Sequence, residues 1–189
     1  DALAKNPKAF ITPIDSEHNA IFQCLAGRSS DEVECLQITA SGGPFREWPK
    51  EKFDTITVRD ALNHPVWSMG KKITIDSASM MNKGLEVIEA HFLFGIPYEQ
   101  IKVVVHPQSM VHSLVQFRDG SLMAQLGAPD MRIPIQVAMT WPERLNLQTD
   151  RLDLPSLAKL TFFSPDFEKF RCLALAYEAG KKGGVVPAM

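Results

Sequence analysis

Residues 79–95, Ser-Met-Met-Asn-Lys-Gly-Leu-Glu-Val-Ile-Glu-Ala-His-Phe-Leu-Phe-Gly, predict the longest helix of the chain, because apolar residues recur there at helical spacing. We expect the buried stripe of this helix to consist of Leu85, Ile88, Phe92 and Leu93. The segment that follows, Ile101-Lys-Val-Val-Val-His106, is mostly apolar and predicts a strand. A long helix that leads into a buried strand favours a fold in which helices cover a sheet.

The rest of the chain mixes strand and helix patterns. Further strands are expected over residues 33–40, 72–76, 112–117 and 121–126. The last two flank Arg118-Asp119-Gly120, which is typical of a hairpin turn. Further helices are expected over residues 17–25, 57–62, 132–140 and 166–180. Because strands and helices do not alternate strictly, we predict an α+β fold with a mixed sheet and helices packed on one face.

The composition excludes several classes of protein. The chain has 189 residues, 45% of them hydrophobic, which is enough for one substantial core. Its formal net charge is −2 and its basic and acidic residues are interleaved, so no nucleic-acid footprint is visible. The 3 cysteines are scattered without a C-x-x-C pair, which favours structural thiols in a reducing compartment. No apolar run approaches the roughly 20 residues that cross a bilayer.

The two ends of the chain suggest a piece of a longer protein. The sequence opens at Asp1 without an initiator methionine and stops at Met189, soon after a predicted helix. Neither a G-x-G-x-x-G motif after a strand nor a G-x-x-x-x-G-K-[ST] motif occurs in the sequence. We therefore expect any nucleotide-binding domain to lie outside these residues.

Asp15-Ser16-Glu17-His18 places two carboxylates at the start of a predicted helix. Hard divalent cations prefer such oxygen ligands. Residues i and i+2 do not share a helix face, so the two carboxylates converge only if Asp15 is not helical. The alternative is an ordinary acidic helix start, which the helix dipole favours.

The segment from Ser77 to Glu86 combines a hydroxyl, an amide and an ammonium group at the start of the longest helix. Free backbone N–H groups with Ser77, Asn82 and Lys83 would suit a phosphate. We place Ser77 at the end of the strand predicted over residues 72–76. The alternative is a polar helix start with a surface Glu–Lys pair. Gly84 argues against it, because glycine inside a helix costs about 1 kcal/mol relative to alanine without compensation.

Two loops are further candidates. Ser41-Gly-Gly-Pro44 follows a predicted strand and would act as an anion-binding loop or as a simple turn. His64-Pro-Val-Trp-Ser-Met-Gly70 carries an imidazole, an indole and a thioether, as in a loop that closes over a site or in a buried tether. His106 and His112 lie at the ends of predicted strands. Either could belong to a functional site or be a buried histidine of the core.

Taken in order, these motifs closely resemble the 1-deoxy-D-xylulose 5-phosphate reductoisomerase family. The resemblance rests on residues 14–23, 41–46, 64–70, 76–86, 106–109 and 125–131, and covers nearly the whole chain. It implies that three carboxylates bind a divalent cation, Mg²⁺ or Mn²⁺ with Co²⁺ as a further alternative. These carboxylates are Asp15, Glu17 and Glu86.

The resemblance also implies roles for the other motifs. The residues expected to hold the substrate phosphate are Ser41, Ser77, Asn82 and Lys83. Further substrate contacts are expected from Ser16, Glu17, His64, Trp67, Glu86 and His112. The cofactor contacts are expected from Met69, Gly70 and Met131. The catalytic set is expected to be Asp15, Glu17, His64, Lys83 and Glu86, with residues 63–71 as the loop that closes over the site.

The family's activity implies an NADPH-dependent conversion of 1-deoxy-D-xylulose 5-phosphate to 2-C-methyl-D-erythritol 4-phosphate in isoprenoid biosynthesis. Residues 1–150 would form the catalytic domain and residues 151–189 the linker and start of a C-terminal helical region. The N-terminal NADPH-binding domain would be missing, so we expect this chain to be inactive alone. The resemblance further implies a homodimer in the bacterial cytoplasm, or in a plastid if the source is a plant, alga or apicomplexan, without nucleic-acid or membrane partners.

Two other functions remain open at this stage. A metal-dependent sugar-phosphate isomerase or aldolase without redox chemistry would need only the residues present here. A dimerisation module that had lost catalysis would show substitutions at the metal ligands or at Lys83, whereas all of them are intact.

Overall fold

A computed structural model describes residues 5–6, 9–66 and 68–185 of the chain. The strands are β1 Val33–Ala40, β2 Ile101–Val105, β3 Val111–Phe117 and β4 Leu122–Leu126. The helices are α1 Ser16–Cys24, α2 Val58–Ala61, α3 Lys71–Ala78, α4 Met81–Phe94, α5 Arg132–Thr140, α6 Leu154–Leu157 and α7 Arg171–Lys182. Short 3₁₀ turns occupy Ser30–Glu32, Lys50–Thr55 and Tyr98–Gln100.

The four strands form one mixed sheet in the order β2-β1-β3-β4. β1 pairs in parallel with β2 and antiparallel with β3, and β3 pairs antiparallel with β4 through the predicted hairpin. The parallel pair needs a crossover connection, and α2, α3 and α4 lie within it. The prediction of an α+β fold with a mixed sheet is therefore confirmed.

One continuous core joins the sheet to the helices. α1 contacts β3 and β4, α4 contacts β1 and β2, and α7 packs on α4. The core cluster includes Ile21, Leu36, Val87, Val115 and Leu173. Ala40 pairs with Val105 at the shared end of β1 and β2, so the loops that follow both strands emerge together. Their convergence places Ser41 next to His106, and Ser41 lines the cavity described below.

The strand predicted over residues 72–76 is wrong, because this segment lies in helix α3. Ile73, Thr74 and Ile75 favour a strand locally, yet packing on α4 overrides that preference. The Thr74 hydroxyl donates to the Gly70 carbonyl oxygen at 2.9 Å, and Lys72 pairs with Asp76 one turn later at 2.6 Å. Consequently Ser77 occupies the last turn of a helix and not the end of a strand.

The apolar stripe predicted for α4 is wrong for Leu85 and Phe92, whereas Ile88 packs against the core. Phe92 is 72% exposed and Leu85 is 39% exposed. The buried residues of this helix are Lys83, Gly84, Glu86, Val87 and Ala90. The helix is thus oriented by its polar and small residues, because one side borders a cavity and another lies close to α7.

The helix predicted over residues 166–180 begins later than expected, at Arg171. The Asp166 carboxylate accepts hydrogen bonds from the backbone N–H groups of Glu168 and Lys169, which makes a separate turn. Phe170 then leaves the helical region with φ −108° and ψ 68°. Within the described ranges, no helix has the length and hydropathy needed to span a bilayer.

Candidate functional site

A cavity of about 380 Å³ lies where α1, α3, α4 and the ends of β1 and β3 meet. Its wall brings together nearly all of the site residues expected from the sequence, namely Asp15, Ser16, Glu17, Ser41, His64, Met69, Ser77, Asn82, Lys83, Glu86, His112 and Met131. Among the described residues, Gly70 lies outside this wall and begins α3 as its N-cap. Trp67 lies outside the described residues.

The three expected carboxylate ligands converge although they come from two helices. Asp15 precedes α1 with extended backbone angles, φ −60° and ψ 136°, and Glu17 lies in the first turn. This change of backbone conformation lets Asp15 and Glu17, two positions apart, point to the same space. Glu86 comes from α4, and oxygen atoms of the three carboxylates lie within 4.8 Å of one another.

Lys83 joins the carboxylates into one hydrogen-bonded network. Its Nζ atom donates to Glu17 Oε1 at 2.8 Å and to Glu86 Oε2 at 2.6 Å. The Asn82 amide donates to the other Glu86 oxygen at 2.7 Å, and the Ser16 hydroxyl donates to Glu17 at 2.5 Å. Because the Lys83 and Glu86 side chains are only 7% and 4% exposed, each charge depends on these partners.

The pKa values of the network reflect an excess of negative charge. Burial, together with the charge of Glu17, raises the pKa of Asp15 to about 7. Burial also raises the pKa of Glu86 well above its usual range, and the Glu17 charge adds to this. Burial alone would raise the pKa of Glu17, but the ammonium of Lys83 lowers it to about 2. One ammonium therefore does not balance three carboxylates, and this oxygen-rich set fits a hard divalent cation.

His18 links the two helices that carry the carboxylates, a role that sequence reasoning did not assign to it. Its ring is fully buried, and its Nε2 atom lies 2.9 Å from the backbone carbonyl oxygen of Glu86. Because a carbonyl only accepts, Nε2 carries the proton and donates. Burial lowers the pKa of His18, which favours this neutral form. The sequence offered one indication of this role, because His18 lies three residues after Asp15 and belongs to the acidic motif.

The opposite end of the cavity carries neutral hydrogen-bonding groups. The Ser41 hydroxyl lies 3.1 Å from His64 Nε2 and accepts a hydrogen bond from the Gly43 N–H at 3.2 Å. Gly43 has φ +69°, and a Cβ atom there would lie 2.7 Å from the carbonyl oxygen of Ser77. Glycine at this position therefore lets the loop after β1 lie against the end of α3. Burial lowers the pKa of His64.

Two residues in the cavity wall adopt left-handed backbone conformations that the sequence did not indicate. Met80, the N-cap of α4, has φ +60°, and Ser109 has φ +52°. Both are buried and line the cavity. Non-glycine residues in this region cost energy and cluster at functional sites. Ser109 belongs to the motif of residues 106–109 after β2, so the sequence drew attention to this residue. Nothing in the sequence indicated its backbone angle.

The third side of the cavity is partly apolar. His112, from β3, is buried, and burial lowers the pKa of its imidazole. Met69 and Met131 line the same cavity, and Met131 is 38% exposed. Polarizable thioethers beside an open cavity suit contact with a flat organic group.

Comparison with known proteins identifies the family. Residues 11–94 match the family model "1-deoxy-D-xylulose 5-phosphate reductoisomerase C-terminal domain", and residues 126–189 match the model "DXP reductoisomerase C-terminal domain". The chain belongs to the 1-deoxy-D-xylulose 5-phosphate reductoisomerase family. A family member from Chloroherpeton thalassium is 65% identical over 177 residues, which are 94% of this chain and 46% of that protein. Another, from Pelotomaculum thermopropionicum, is 60% identical over 187 residues, which are 99% of this chain and 48% of that protein.

Solved structures of the family share the fold. The reductoisomerase from Zymomonas mobilis in complex with NADPH superposes with a TM-score of 0.91 and 48% identity, over 100% of this chain and 48% of that one. A DOX-P reductoisomerase in complex with NADPH, fosmidomycin and magnesium gives a TM-score of 0.89 and 49% identity, over 96% of this chain and 47% of that one. The chain spans about half the length of the curated relatives it matches.

Proposed function

We propose that this chain forms the cation- and substrate-binding part of an NADP-dependent oxidoreductase, 1-deoxy-D-xylulose 5-phosphate reductoisomerase. The enzyme would convert its substrate to 2-C-methyl-D-erythritol 4-phosphate for isoprenoid biosynthesis, by retro-aldol cleavage and aldol re-addition followed by reduction. The observation that carries the proposal is the convergence of Asp15, Glu17 and Glu86 around Lys83, in a cavity whose other end carries Ser41 and His64.

Asp15, Glu17 and Glu86 are the proposed ligands of the divalent cation. Magnesium is the first choice, since a related structure is a complex with magnesium, and Mn²⁺ and Co²⁺ would accept the same oxygens. When bound, the cation would polarise the carbonyl and hydroxyl oxygens of a sugar phosphate. Ser16, hydrogen-bonded to Glu17, is placed to orient a substrate hydroxyl at the same point.

Lys83 has two tasks in this proposal. In the described state it donates to Glu17 and Glu86, which keeps Glu17 ionised and holds both carboxylates in place for a cation. With Ser41, Ser77 and Asn82 on the same wall, it also provides hydrogen-bond donors for the substrate phosphate. Contacts with the phosphate are remote from the reacting carbons, so they position the substrate without taking part in the bond changes.

The segment from residue 63 to residue 71 is proposed to close over the bound substrate and exclude water. His64 and Met69 already line the cavity from this segment. Met69, Gly70 and Met131 would contact the nicotinamide ring of NADPH, and Trp67 would pack over the substrate once the segment closes. We place this catalytic unit in residues 1–150 and the linker with α7 in residues 151–189, and the remainder of the NADPH site in protein beyond this chain.

The homodimer is proposed to form at the β4 edge of the sheet. β4 is the last strand in the sheet order, and its residues Leu122, Met123 and Leu126 are 50%, 38% and 37% exposed. An edge strand with exposed apolar residues is suited to pairing with a second copy. Light scattering of the full-length protein would give twice the monomer mass. We propose the bacterial cytoplasm as the compartment, which the bacterial source of the relatives supports.

The proposal is tested by assaying the full-length protein that contains this chain. We expect loss of NADPH absorbance that requires both 1-deoxy-D-xylulose 5-phosphate and a divalent cation. A chelator should abolish the loss, and added Mg²⁺ should restore it. If the substrate were rearranged or cleaved while NADPH remained unchanged, the protein would be an isomerase or aldolase and the proposal would be wrong.

A further inference from the structure

Helices α4 and α7 lie unusually close together at Gly84. A Cβ atom built on Gly84 would lie 2.4 Å from the Cβ atom of Ala176. Such a distance is far inside van der Waals contact, so the two helices could not keep their present separation with any side chain larger than hydrogen at position 84. The next nearest atoms, the Cys172 carbonyl oxygen and the Met81 sulfur, lie at 3.6 and 3.7 Å, which are ordinary contacts.

Gly84 lowers the stability of helix α4, and the contact with α7 explains why a glycine occupies this position. Glycine inside a helix is about 1 kcal/mol less favourable than alanine, and Gly84 is in the first turns of a regular 14-residue helix with a negative φ. Its N–H donates to the Met80 carbonyl oxygen at 3.1 Å in normal helical geometry. The backbone conformation therefore does not require glycine, whereas the approach of α7 does.

Gly84 also lies between the two residues of α4 that hold the charged network. Lys83 precedes it, and Glu86 follows two positions later. Lys83 donates to Glu17 on α1 at 2.8 Å and to Glu86 on its own helix at 2.6 Å. On the α1 side, His18 holds the Glu86 backbone oxygen. The first turns of α4 are thus held between α1 on one side and α7 on the other.

We propose that Gly84 is a positioning residue: by allowing contact with Ala176, it sets the distance between α4 and α1 at which Glu86 and the α1 carboxylates share one divalent cation. The inference rests on the proposed function, because it assigns the spacing of these helices to cation binding. It also makes α7, which lies in the region after residue 150, part of the support of the site. Relieving the 2.4 Å contact requires a shift of roughly 1 Å, which is enough to disturb a three-ligand site.

The test is the affinity of the full-length protein for Mn²⁺, measured by titration calorimetry without substrate or NADPH. Gly84→Ala should raise the Kd for Mn²⁺ about ten-fold, because the clash with α7 shifts α4 and changes its distance from α1. The double variant Gly84→Ala/Ala176→Gly moves the methyl group from one helix to the other and leaves only the ordinary contacts. We expect its Kd to return to within about two-fold of the wild-type value.

The matched control is Gly180→Ala, on the same helix α7. Its Cβ atom would lie 2.6 Å from the Tyr98 ring, so it creates a similar clash at a place remote from the cavity. We expect a lower Tm with an unchanged Kd for Mn²⁺. If Gly84→Ala does not fold, Ala176→Ser adds a single oxygen at the same contact and should raise the Kd about three-fold.

An unchanged Kd in folded Gly84→Ala, or in Ala176→Ser if the former does not fold, would overturn the inference. Failure of the double variant to restore the affinity would overturn it as well. If wild-type protein itself bound no Mn²⁺, the proposed cation site would be wrong, which is a different result from binding that is insensitive to position 84.

Discussion

The part of the cavity proposed to bind the cation and the part proposed to bind phosphate, here the cation end and the phosphate end, differ in how they are stabilised before any ligand arrives. At the cation end, Glu17, Lys83 and Glu86 are 18%, 7% and 4% exposed and satisfy one another through short hydrogen bonds. At the phosphate end, Ser41, His64 and Ser77 are only partly buried and carry no opposing charges. Buried charges need partners in every state of the protein, whereas neutral hydroxyls can exchange water for a ligand at little cost. The cation end therefore supports both folding and binding, and the phosphate end supports binding alone.

The largest effect that separates the two ends is expected from Lys83→Met. Removing the ammonium leaves the buried carboxylates without a positively charged partner, so we expect a loss of about 3–5 kcal/mol in the free energy of unfolding. Activity should fall below detection. Urea denaturation measures the loss, and Lys72→Met is the control, because Lys72 is 82% exposed and pairs with Asp76 at the surface. A stability equal to that of the control would contradict the description of the cation end.

The next largest effect is expected from Glu86→Gln. The amide keeps the shape of the side chain but removes one of three anionic ligands, so the Kd for Mn²⁺ should rise at least about a hundred-fold. Glu89→Gln, one turn along the same helix and 57% exposed, should change the Kd less than about three-fold. Calorimetric titration distinguishes the two variants. Equal affinities would exclude Glu86 as a ligand.

A smaller and more selective effect is expected from Ser77→Ala at the phosphate end. Loss of one hydrogen bond to a charged phosphate costs about 1.5–3 kcal/mol, so KM for the sugar phosphate should rise ten-fold or more. The Kd for Mn²⁺ and the Tm should stay near wild type. Ser79→Ala is the control, because the Ser79 hydroxyl donates to the Asp76 carbonyl oxygen and lies outside the cavity wall as described. A fall in Tm without a change in KM would assign Ser77 to folding.

The smallest effect is expected from pH in the cation-free protein. Asp15 has a pKa raised to about 7 in the folded state, above its value of about 3.9 in an unfolded chain. Proton binding therefore favours the folded state below pH 4, and this stabilisation is lost as the pH rises through 7. Because the Asp15 side chain is 41% exposed, solvent screening limits the loss to about 1 kcal/mol.

Urea denaturation between pH 5 and 8 measures this pH effect, as a loss of about 1 kcal/mol across the titration of Asp15. Asp15→Asn should remove this loss, so the difference in stability between wild type and Asp15→Asn separates Asp15 from the buried and partly buried histidines, whose lowered pKa values act in the opposite direction. Saturating Mg²⁺ should reverse the loss, since the cation competes with the proton. A difference between the two proteins that does not change with pH in the presence of a chelator would contradict the raised pKa of Asp15.

Local sequence signals were sufficient for elements in which propensity and packing agree. The strand over residues 33–40 and the helix over residues 132–140 were predicted with the observed bounds. Segment 72–76 was assigned to the wrong type of element, because its β-branched residues favour a strand and only the packing of α3 on α4 decides otherwise. Likewise, the face that α4 buries depends on the helix beside it, which periodicity within α4 does not reveal.

The sequence was sufficient to predict which residues belong to the candidate site, but not how they are arranged in space. Convergence of the Asp15 and Glu17 carboxylates required Asp15 to be non-helical, and Asp15 does have extended backbone angles. The distance between α1 and α4, however, is set by contacts far apart in sequence, among them His18 with Glu86 and Gly84 with Ala176. The left-handed backbones of Met80 and Ser109 had no sequence signal, because methionine and serine do not favour that conformation.

Anomalous diffraction from crystals of the full-length protein grown with Mn²⁺ tests the central claim most directly. We expect one manganese peak in the cavity, with carboxylate oxygens of Asp15, Glu17 and Glu86 about 2.0–2.2 Å from it. The Lys83 ammonium should be displaced from at least one of its two carboxylate partners. A peak at another position, or a cavity in which Lys83 still bridges Glu17 and Glu86 at saturating Mn²⁺, would contradict the account.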